Sequence, residues 1–245
     1  MHQRIRERLP HLEAIVEAAD EHRRASAELL ALASGPAIGE TFEHAGLKYQ
    51  RVPRYAKERP ARHMGDDAVI VQRIDTRELL DTTKRDDNAF WSWAVIETLR
   101  HSGIRAEELQ EVTQMAVVQY QVPDTGEVVP LLQIVPSKSG EERVLLIGPE
   151  LANVLALIIT RLRQRHGGSI PAVSRYDPYE RVEGPPLPHL FQRFSNRQGR
   201  NTVIGTEEIY KLLELAVANA KTAMPPGNQC SSAQTTFAGC SQPKQ

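Results

Sequence analysis

Cysteine is almost absent from this sequence: its two cysteines, Cys230 and Cys240, both lie close to the C-terminus. The body of the protein therefore needs neither a disulfide nor a cysteine-ligated metal ion. Apolar runs long enough to cross a bilayer are also missing, and the first residues lack the apolar stretch of a signal peptide. We therefore expect a cytoplasmic protein without a membrane partner.

The sequence also lacks a marked excess of charge of either sign. Its formal net charge is −1, so the chain as a whole has no strong electrostatic attraction to nucleic acid. DNA binding would therefore depend on basic side chains that are gathered on one face of the protein. The length of 245 residues predicts one or two domains with enough material for a hydrophobic core.

The first third of the chain predicts one helix followed by less regular segments. Residues 11–33 carry apolar residues at helical spacing and end at a Ser-Gly-Pro stop. Residues 39–55 have a β-like or irregular composition, and the polar residues 56–67 predict a loop or linker. Residues 74–87 are predicted to be irregular.

A central helix is predicted to begin near Asn88, with Asp86 and Asp87 as candidate N-caps. Apolar residues cover much of its circumference, which is typical of a helix in the centre of a core. It carries both tryptophans of the chain, Trp91 and Trp93. We expect these two side chains to pack in the core and not to stack on nucleic-acid bases.

The segment that follows predicts a small sheet between helices. Three β-rich runs separated by the turn-like sequences "PDTG" and "SKSGE" predict a three-stranded antiparallel meander. A strong helix should follow over residues 149–166, with Pro149 in its first turn, and a last helix over residues 205–220, with Thr206 as its N-cap. The predicted fold class is α+β, mainly helical, with a three-stranded antiparallel sheet.

Two basic residues occupy unusual positions in this pattern. Arg105 follows Gly103 at the joint between the central helix and the sheet, and Lys138 lies in the tight turn "PSKSGEER". An arginine can bind two phosphate oxygens at once, and a lysine on a hairpin can act as a single donor. Each residue alone is most often an ordinary surface charge, but the order of the elements around the two is more specific.

The segments "LRHSGIRAEELQEVT" and "SKSGEERVLLIGPEL" resemble the arginine motif and the lysine hairpin of the tyrosine recombinases, the phage-integrase family of site-specific DNA recombinases. The resemblance implies that Arg105 and Lys138 are catalytic and bind DNA, that Arg143 binds DNA and that Glu108 supports the turn structurally. It also implies double-stranded DNA as the partner, with other recombinase subunits in a synaptic complex if the enzyme is intact, and no cofactor or metal ion.

The mechanism implied by the resemblance is a transesterification. A tyrosine attacks the scissile phosphate and forms a covalent phosphotyrosine. Arginines and a histidine stabilise the negative charge of the transition state, and the hairpin lysine gives a proton to the leaving 5′-oxygen. The resemblance divides the chain into three parts. Residues 1–85 form an N-terminal helical or irregular region in the place of a core-binding part, residues 86–220 a truncated catalytic domain, and residues 221–245 a disordered tail.

The sequence departs from the family in its last part. It has no His-x-x-Arg box, because Gln192 stands where an arginine would have to follow His189, and Tyr210 is interpreted as a packing residue. When the back-translated tail is read two bases later, permitted codons encode a string similar to the family's Pro-His-Asp-Phe-Arg-Arg box with its histidine replaced. This suggests a frameshift near Lys221.

Three functions remain open from the sequence. The first is a tyrosine-recombinase fragment that lacks the nucleophile and does not cleave DNA, so its status as an enzyme is uncertain. The second is a DNA-binding module without catalysis. The third is a helical interaction protein in which both cations are ordinary surface charges.

Overall fold

The computed structural model describes residues 2–53, 68–134, 143–177, 181–195 and 198–223, with the backbone alone for residues 2–10 and 222–223. The helices of these segments are α1 (His2–Ser34), α2 (Thr82–Ser102), α3 (Ala106–Glu111), α4 (Pro149–Arg165) and α5 (Thr206–Ala223). The strands are β1 (Thr41–His44), β2 (Leu47–Val52), β3 (Ile70–Arg73), β4 (Leu79–Asp81), β5 (Val117–Gln121), β6 (Val128–Ile134), β7 (Arg143–Leu146), β8 (Tyr176–Asp177), β9 (Val182–Glu183), β10 (Gln192–Ser195) and β11 (Arg200–Val203).

Helix α2 lies in the centre of the main hydrophobic core, and α1, α4 and α5 pack around it. Trp91 and Trp93 are buried in this core, which confirms the prediction that they are packing residues. Their neighbour Ser92 is buried too, and its hydroxyl donates a hydrogen bond of 2.6 Å to the backbone carbonyl of Leu212 in α5. This contact satisfies a polar group inside an otherwise apolar helix interface.

The start of α2 differs from the prediction. The helix begins at Thr82, and Asp81 is its N-cap, since the Asp81 carboxylate accepts a hydrogen bond of 2.8 Å from the backbone N–H of Lys84. The prediction that Asp86 and Asp87 cap the helix is therefore wrong. Both residues lie within the helix, and their side chains are buried. Their carboxylates form ion pairs with arginines of α4 and β10: Arg161, Arg165 and Arg193.

A second, smaller core lies between the end of α1 and a four-stranded antiparallel sheet with the order β1-β2-β3-β4. The prediction that residues 74–87 are irregular is wrong, because this segment contains β4 and the first turn of α2. The prediction missed the short strands because each has too few residues to show an alternation of apolar and polar side chains. The loop or linker predicted over residues 56–67 lies outside the described residues.

Strands β5, β6 and β7 form a three-stranded antiparallel sheet in that order, which confirms the predicted meander. One face of the sheet packs on the main core through residues such as Leu132 and Ile134. Helix α4 follows β7 and has Pro149 in its first turn, as predicted. It ends before Gly167 and Gly168, both of which have a positive φ and so stop the helix.

The last described elements are two short hairpins and α5. The first residue of α5 is Thr206 and not its N-cap, because the carbonyl of Gly205 accepts the first helical hydrogen bond, from the N–H of Ile209. The prediction that Tyr210 is a packing residue is wrong, since it is 58% exposed. It occupies the outer side of α5, whereas Ile209 and Leu212 face the core. Residues 224–245 of the predicted tail lie outside the described residues, and α5 includes its first three residues.

Within the described part of the chain, none of the helices combines the length and the apolar character that a membrane crossing requires.

Candidate functional site

The turn that carries Arg105 is formed by the end of one helix and the start of another. Gly103 has φ +65° and closes α2, since its backbone N–H donates to the carbonyl of Leu99 at 3.0 Å. Ile104 is buried and anchors the turn in the main core. Arg105 follows in an extended conformation as the N-cap residue of α3, with its side chain exposed. The backbone of the turn is therefore fixed while the guanidinium remains accessible to solvent.

The carboxylate of Glu108 joins this turn to the sheet. Its Oε2 atom accepts a hydrogen bond of 2.8 Å from the backbone N–H of Arg105 and one of 2.5 Å from the guanidinium of Arg143. Glu108 is buried, so water competes weakly for its oxygens. An acidic side chain three residues after an N-cap commonly bonds the N-cap N–H, and here it also binds a cation from a different element.

Arg143 is the first residue of β7, and its register partner in β6 is Ile134. Its side chain is about half exposed, so its guanidinium lies at the surface with one edge held by Glu108. Ile134 and Arg143 are the two ends of the connection that contains Lys138, and Lys138 itself lies outside the described residues. Of the predicted site residues, the structure brings together Arg105, Glu108 and Arg143.

The two arginines of this site, Arg105 and Arg143, differ in their pairing with carboxylates. The Arg105 guanidinium has no hydrogen bond or ion pair with any described residue, whereas Arg143 is paired with Glu108. An exposed guanidinium without a carboxylate partner retains all of its donors for an anionic ligand. Among the described residues, the arrangement therefore presents the exposed Arg105 guanidinium and the half-exposed Arg143 guanidinium to oxygen atoms of a phosphate.

The other end of α3 carries a second polar network that sequence reasoning missed. The Arg175 guanidinium forms an ion pair with Glu111 and a hydrogen bond of 3.4 Å with the side-chain carbonyl of Gln110. The Gln110 amide nitrogen also donates to the Thr206 hydroxyl at 2.7 Å. These contacts fix α3 against α5 and the loop before β8. The residues are far apart in sequence and share no motif, so no local pattern predicts them.

His189 is part of the same network but is not exposed. Burial lowers the pKa of His189 below its usual value, and the nearby charge of Arg175 lowers it further, although a hydrogen bond with the backbone of Gln110 opposes both effects. The ring is therefore neutral at pH 7. Its Nδ1 atom is buried without a hydrogen-bond partner among the described residues. A neutral, buried ring of this kind contributes no positive charge to a phosphate site.

A cavity of about 530 Å³ lies between the loop before β8 and the β10–β11 hairpin. Gln110, Arg175, Arg200 and Asn201 are among its polar lining residues, whereas Arg105 and Arg143 do not line it. The described segments contain no group of three or more acidic, histidine or cysteine side chains that could hold a metal ion. The predicted site is therefore a surface formed by cations and is separate from this cavity.

Comparisons with known proteins add no relatives to this picture. No family model, no curated protein and no solved structure matches the chain. The functional interpretation of Arg105, Glu108 and Arg143 therefore depends on the sequence motifs and on the geometry described above.

Proposed function

We propose that this protein binds double-stranded DNA in the manner of a tyrosine recombinase, the family that carries out site-specific DNA recombination and integration. In this proposal Arg105, Lys138 and Arg143 contact the DNA backbone, and Arg105 and Lys138 meet at the same phosphodiester. The chain alone does not cleave DNA, because its sequence offers no match to the His-x-x-Arg box or to the tyrosine nucleophile.

The main support for the proposal is that one carboxylate oxygen of Glu108 accepts two hydrogen bonds. Through this one carboxylate oxygen, the Arg105 turn and the first residue of β7 are joined. Because Arg143 pairs with Ile134, the end of the sheet from which the Lys138 connection leaves lies beside the Arg105 turn. Arg105 and this connection are distant in sequence, so their approach is a tertiary feature that supports a shared ligand.

Charge also favours a phosphate over other ligands at this surface. The net charge of the chain is −1, so binding would depend on the local cations and not on the field of the whole molecule. Backbone phosphates contribute most of the salt-dependent affinity of DNA-binding proteins, and each contact with a lysine or arginine releases condensed counterions. A surface with the exposed guanidinium of Arg105 is suited to this type of contact.

The test is a salt titration of DNA binding, measured by fluorescence anisotropy with a labelled duplex. We expect Arg105→Ala and Lys138→Ala each to weaken binding by about tenfold at moderate salt and to reduce the slope of log K against log salt by about 1. The matched control is Arg24→Ala, which removes an exposed arginine of α1 that is paired with Asp20 and should leave both values unchanged.

Two outcomes would contradict DNA binding at this surface. If the wild-type chain has no affinity for DNA at moderate salt, the cations are ordinary surface charges and the interpretation as a helical interaction protein is favoured. If all three variants weaken binding equally, the attraction is nonspecific and is not located at Arg105 and Lys138.

A nicked-substrate assay tests the absence of catalysis separately. It traps covalent protein–DNA adducts, and we expect none from this chain. A phosphotyrosine adduct would show that the chain has a nucleophile after all. DNA binding without an adduct does not distinguish a recombinase fragment from a DNA-binding module of another kind, so the genomic DNA downstream of codon 220 should also be sequenced for the family's box.

A further inference from the structure

The side of the β5–β6–β7 sheet that faces away from the main core is apolar. Opposite positions of an antiparallel sheet lie on the same face, and the register pairs Val118 with Leu131 and Leu131 with Leu146. The same register and the alternation along each strand define the outer sheet face, which consists of Val118, Tyr120, Val129, Leu131, Gln133, Val144 and Leu146.

This face is exposed in the described part of the chain. Leu146 is 73% exposed, Val144 59% and Tyr120 50%, whereas Leu132 and Ile134 on the opposite face are buried in the main core. Single exposed apolar residues are common on protein surfaces, but a contiguous group on one sheet face is typical of an interaction surface. A partner that covers the face would remove these side chains from water.

The composition of the outer sheet face limits the chemistry of that partner. None of its side chains is charged, so a DNA backbone or a strongly charged protein would find no ion-pair partner on it. The turn at one end of the sheet contains the exposed acidic residues Asp124 and Glu127, which would repel an anionic lipid surface. An uncharged, apolar partner surface fits the face best.

We propose that the outer sheet face is covered by the same face of a second copy of this chain, with the strands of the two copies antiparallel about a two-fold axis. In a two-fold interface each residue meets the same patch of the partner, and a charged face would place like charges together. The uncharged outer sheet face avoids this repulsion. In the dimer its middle row, Val118, Leu131 and Leu146, packs on the same three residues of the second copy.

The positions of the two polar side chains of the outer sheet face also fit antiparallel packing of two copies. Tyr120 lies at one end of the face, near the turn with Asp124 and Glu127, and Gln133 lies at the other end, near Arg143. Antiparallel packing brings the Tyr120 end of one copy over the Gln133 end of the other. The phenol and the amide can then form a hydrogen bond across the interface, and the acidic turn approaches the end that carries Arg143.

The size of the face predicts a weak dimer. Strands of five, seven and four residues are about 17, 23 and 13 Å long, and at a spacing of about 4.8 Å they give a flat patch of roughly 250 Å² per copy. Two copies would then bury roughly 500 to 700 Å² with their rims, which is below the range of about 1,200 to 2,000 Å² for stable interfaces. We expect reversible association with a dissociation constant on the order of tens of micromolar.

Sedimentation velocity of the full chain, without DNA, tests the proposal over a protein concentration range from about 5 to about 300 µM. The wild type should shift from monomer to dimer, and Leu146→Glu should remain a monomer across the range. The matched control is Ile38→Glu, which changes another strongly exposed apolar residue (65%) outside the sheet and should dimerise like the wild type. A wild type that stays monomeric, or a dimer that persists in Leu146→Glu, would overturn the proposal.

A photo-crosslinking experiment identifies the surface that covers the face. Tyr120 is replaced by p-benzoylphenylalanine, and equal amounts of ¹⁵N-labelled and unlabelled chains are mixed at high concentration before irradiation. We expect mixed-label crosslinks to residues of the outer sheet face, above all near Gln133. Crosslinks within a single chain, including those to residues 224–245, or crosslinks to another surface of the second copy would contradict the proposed packing. This dimer does not depend on DNA binding, so either proposal can fail alone.

Discussion

At the residue scale, the buried carboxylates of this protein connect elements that are distant in sequence. Glu108 joins the Arg105 turn to β7, and Asp87 joins α2 to both α4 and β10 through Arg161, Arg165 and Arg193. A buried charge is costly unless it is paired and hydrogen-bonded. Each of these carboxylates therefore stabilises one particular arrangement of the elements around it.

Asp87 should make the stability of the protein depend on pH. Burial alone would raise the pKa of Asp87, but the charges of Arg165, Arg193 and Arg161 outweigh burial and hold the pKa below its usual value. The unfolded state, with an aspartate pKa of about 3.9, then binds more protons than the folded state in acid. The stabilisation is present above about pH 4 and is lost as the pH falls through the folded pKa.

We therefore expect Asp87→Asn to lower the free energy of unfolding by about 3 kcal/mol at pH 7. The difference between wild type and variant should shrink as the pH falls below about 4, and urea unfolding at a series of pH values measures it. Asp124→Asn, at an exposed turn position, is the control and should change little. A difference that stays constant from neutral pH into acid would contradict the assigned role of Asp87.

At the scale of elements, the important boundary is the one between α2 and α3. Three residues separate a buried helix of 21 residues from a six-residue helix, and the chain turns there because Gly103 adopts a left-handed conformation. An L residue with a side chain adopts this conformation only at a cost. The direction in which the chain leaves α2, and with it the position of Arg105, depends on this glycine.

Replacement of Gly103 by alanine should destabilise the protein by about 1 kcal/mol, although an added Cβ would meet no atom within 4 Å. The cost comes from the backbone conformation and not from a steric clash with the surroundings. Gly35→Ala is the matched control, because Gly35 follows α1 without a positive φ and has only an ordinary contact at 3.8 Å. Chemical denaturation of both variants measures the difference, and equal stabilities would contradict the assigned role of Gly103.

At the scale of the whole molecule, the buried apolar side chains of the described residues form two separate clusters. The main core includes α2, α4, α5 and the inner face of the β5–β7 sheet. The smaller one lies under the β1–β4 sheet and contains Leu29, Ala33, Tyr49, Val69 and Val71. Regions with few buried apolar contacts open at a lower free energy than the main core of the same protein. The β1–β4 sheet should therefore open before the helices around α2.

Hydrogen exchange followed by mass spectrometry tests this order of opening. We expect Val71→Ala, which removes two buried methyl groups from the smaller cluster at a cost of about 2 kcal/mol, to accelerate exchange in the β1–β4 sheet and to leave α2 unchanged. The matched variant Val95→Ala, in the main core, should accelerate exchange in both regions. If Val71→Ala accelerates exchange in α2 as much as in the sheet, the two clusters unfold as one unit.

Features that depend on local pattern could be predicted from the amino-acid sequence alone. The largely apolar character of residues 89–96 indicated the buried α2, and β-rich runs separated by turn residues indicated the β5–β7 meander. Pro149 and the glycines after α4 marked the limits of that helix. These features follow from the hydrophobic period and from the conformations that proline and glycine prefer, so no distant residue is needed to predict them.

Contacts between residues that are distant in sequence could not be predicted and became visible in the folded chain. The sequence suggested Asp86 and Asp87 as helix caps, but arginines from α4 and β10 bind these carboxylates inside the fold. It suggested a packing role for Tyr210, but the neighbours of α5 cover a different side of that helix. The contact between Glu108 and Arg143 and the apolar outer sheet face likewise depend on how elements pack and on which surfaces remain uncovered. Burial and pairing are properties of the assembled chain, and they are not encoded in any local period.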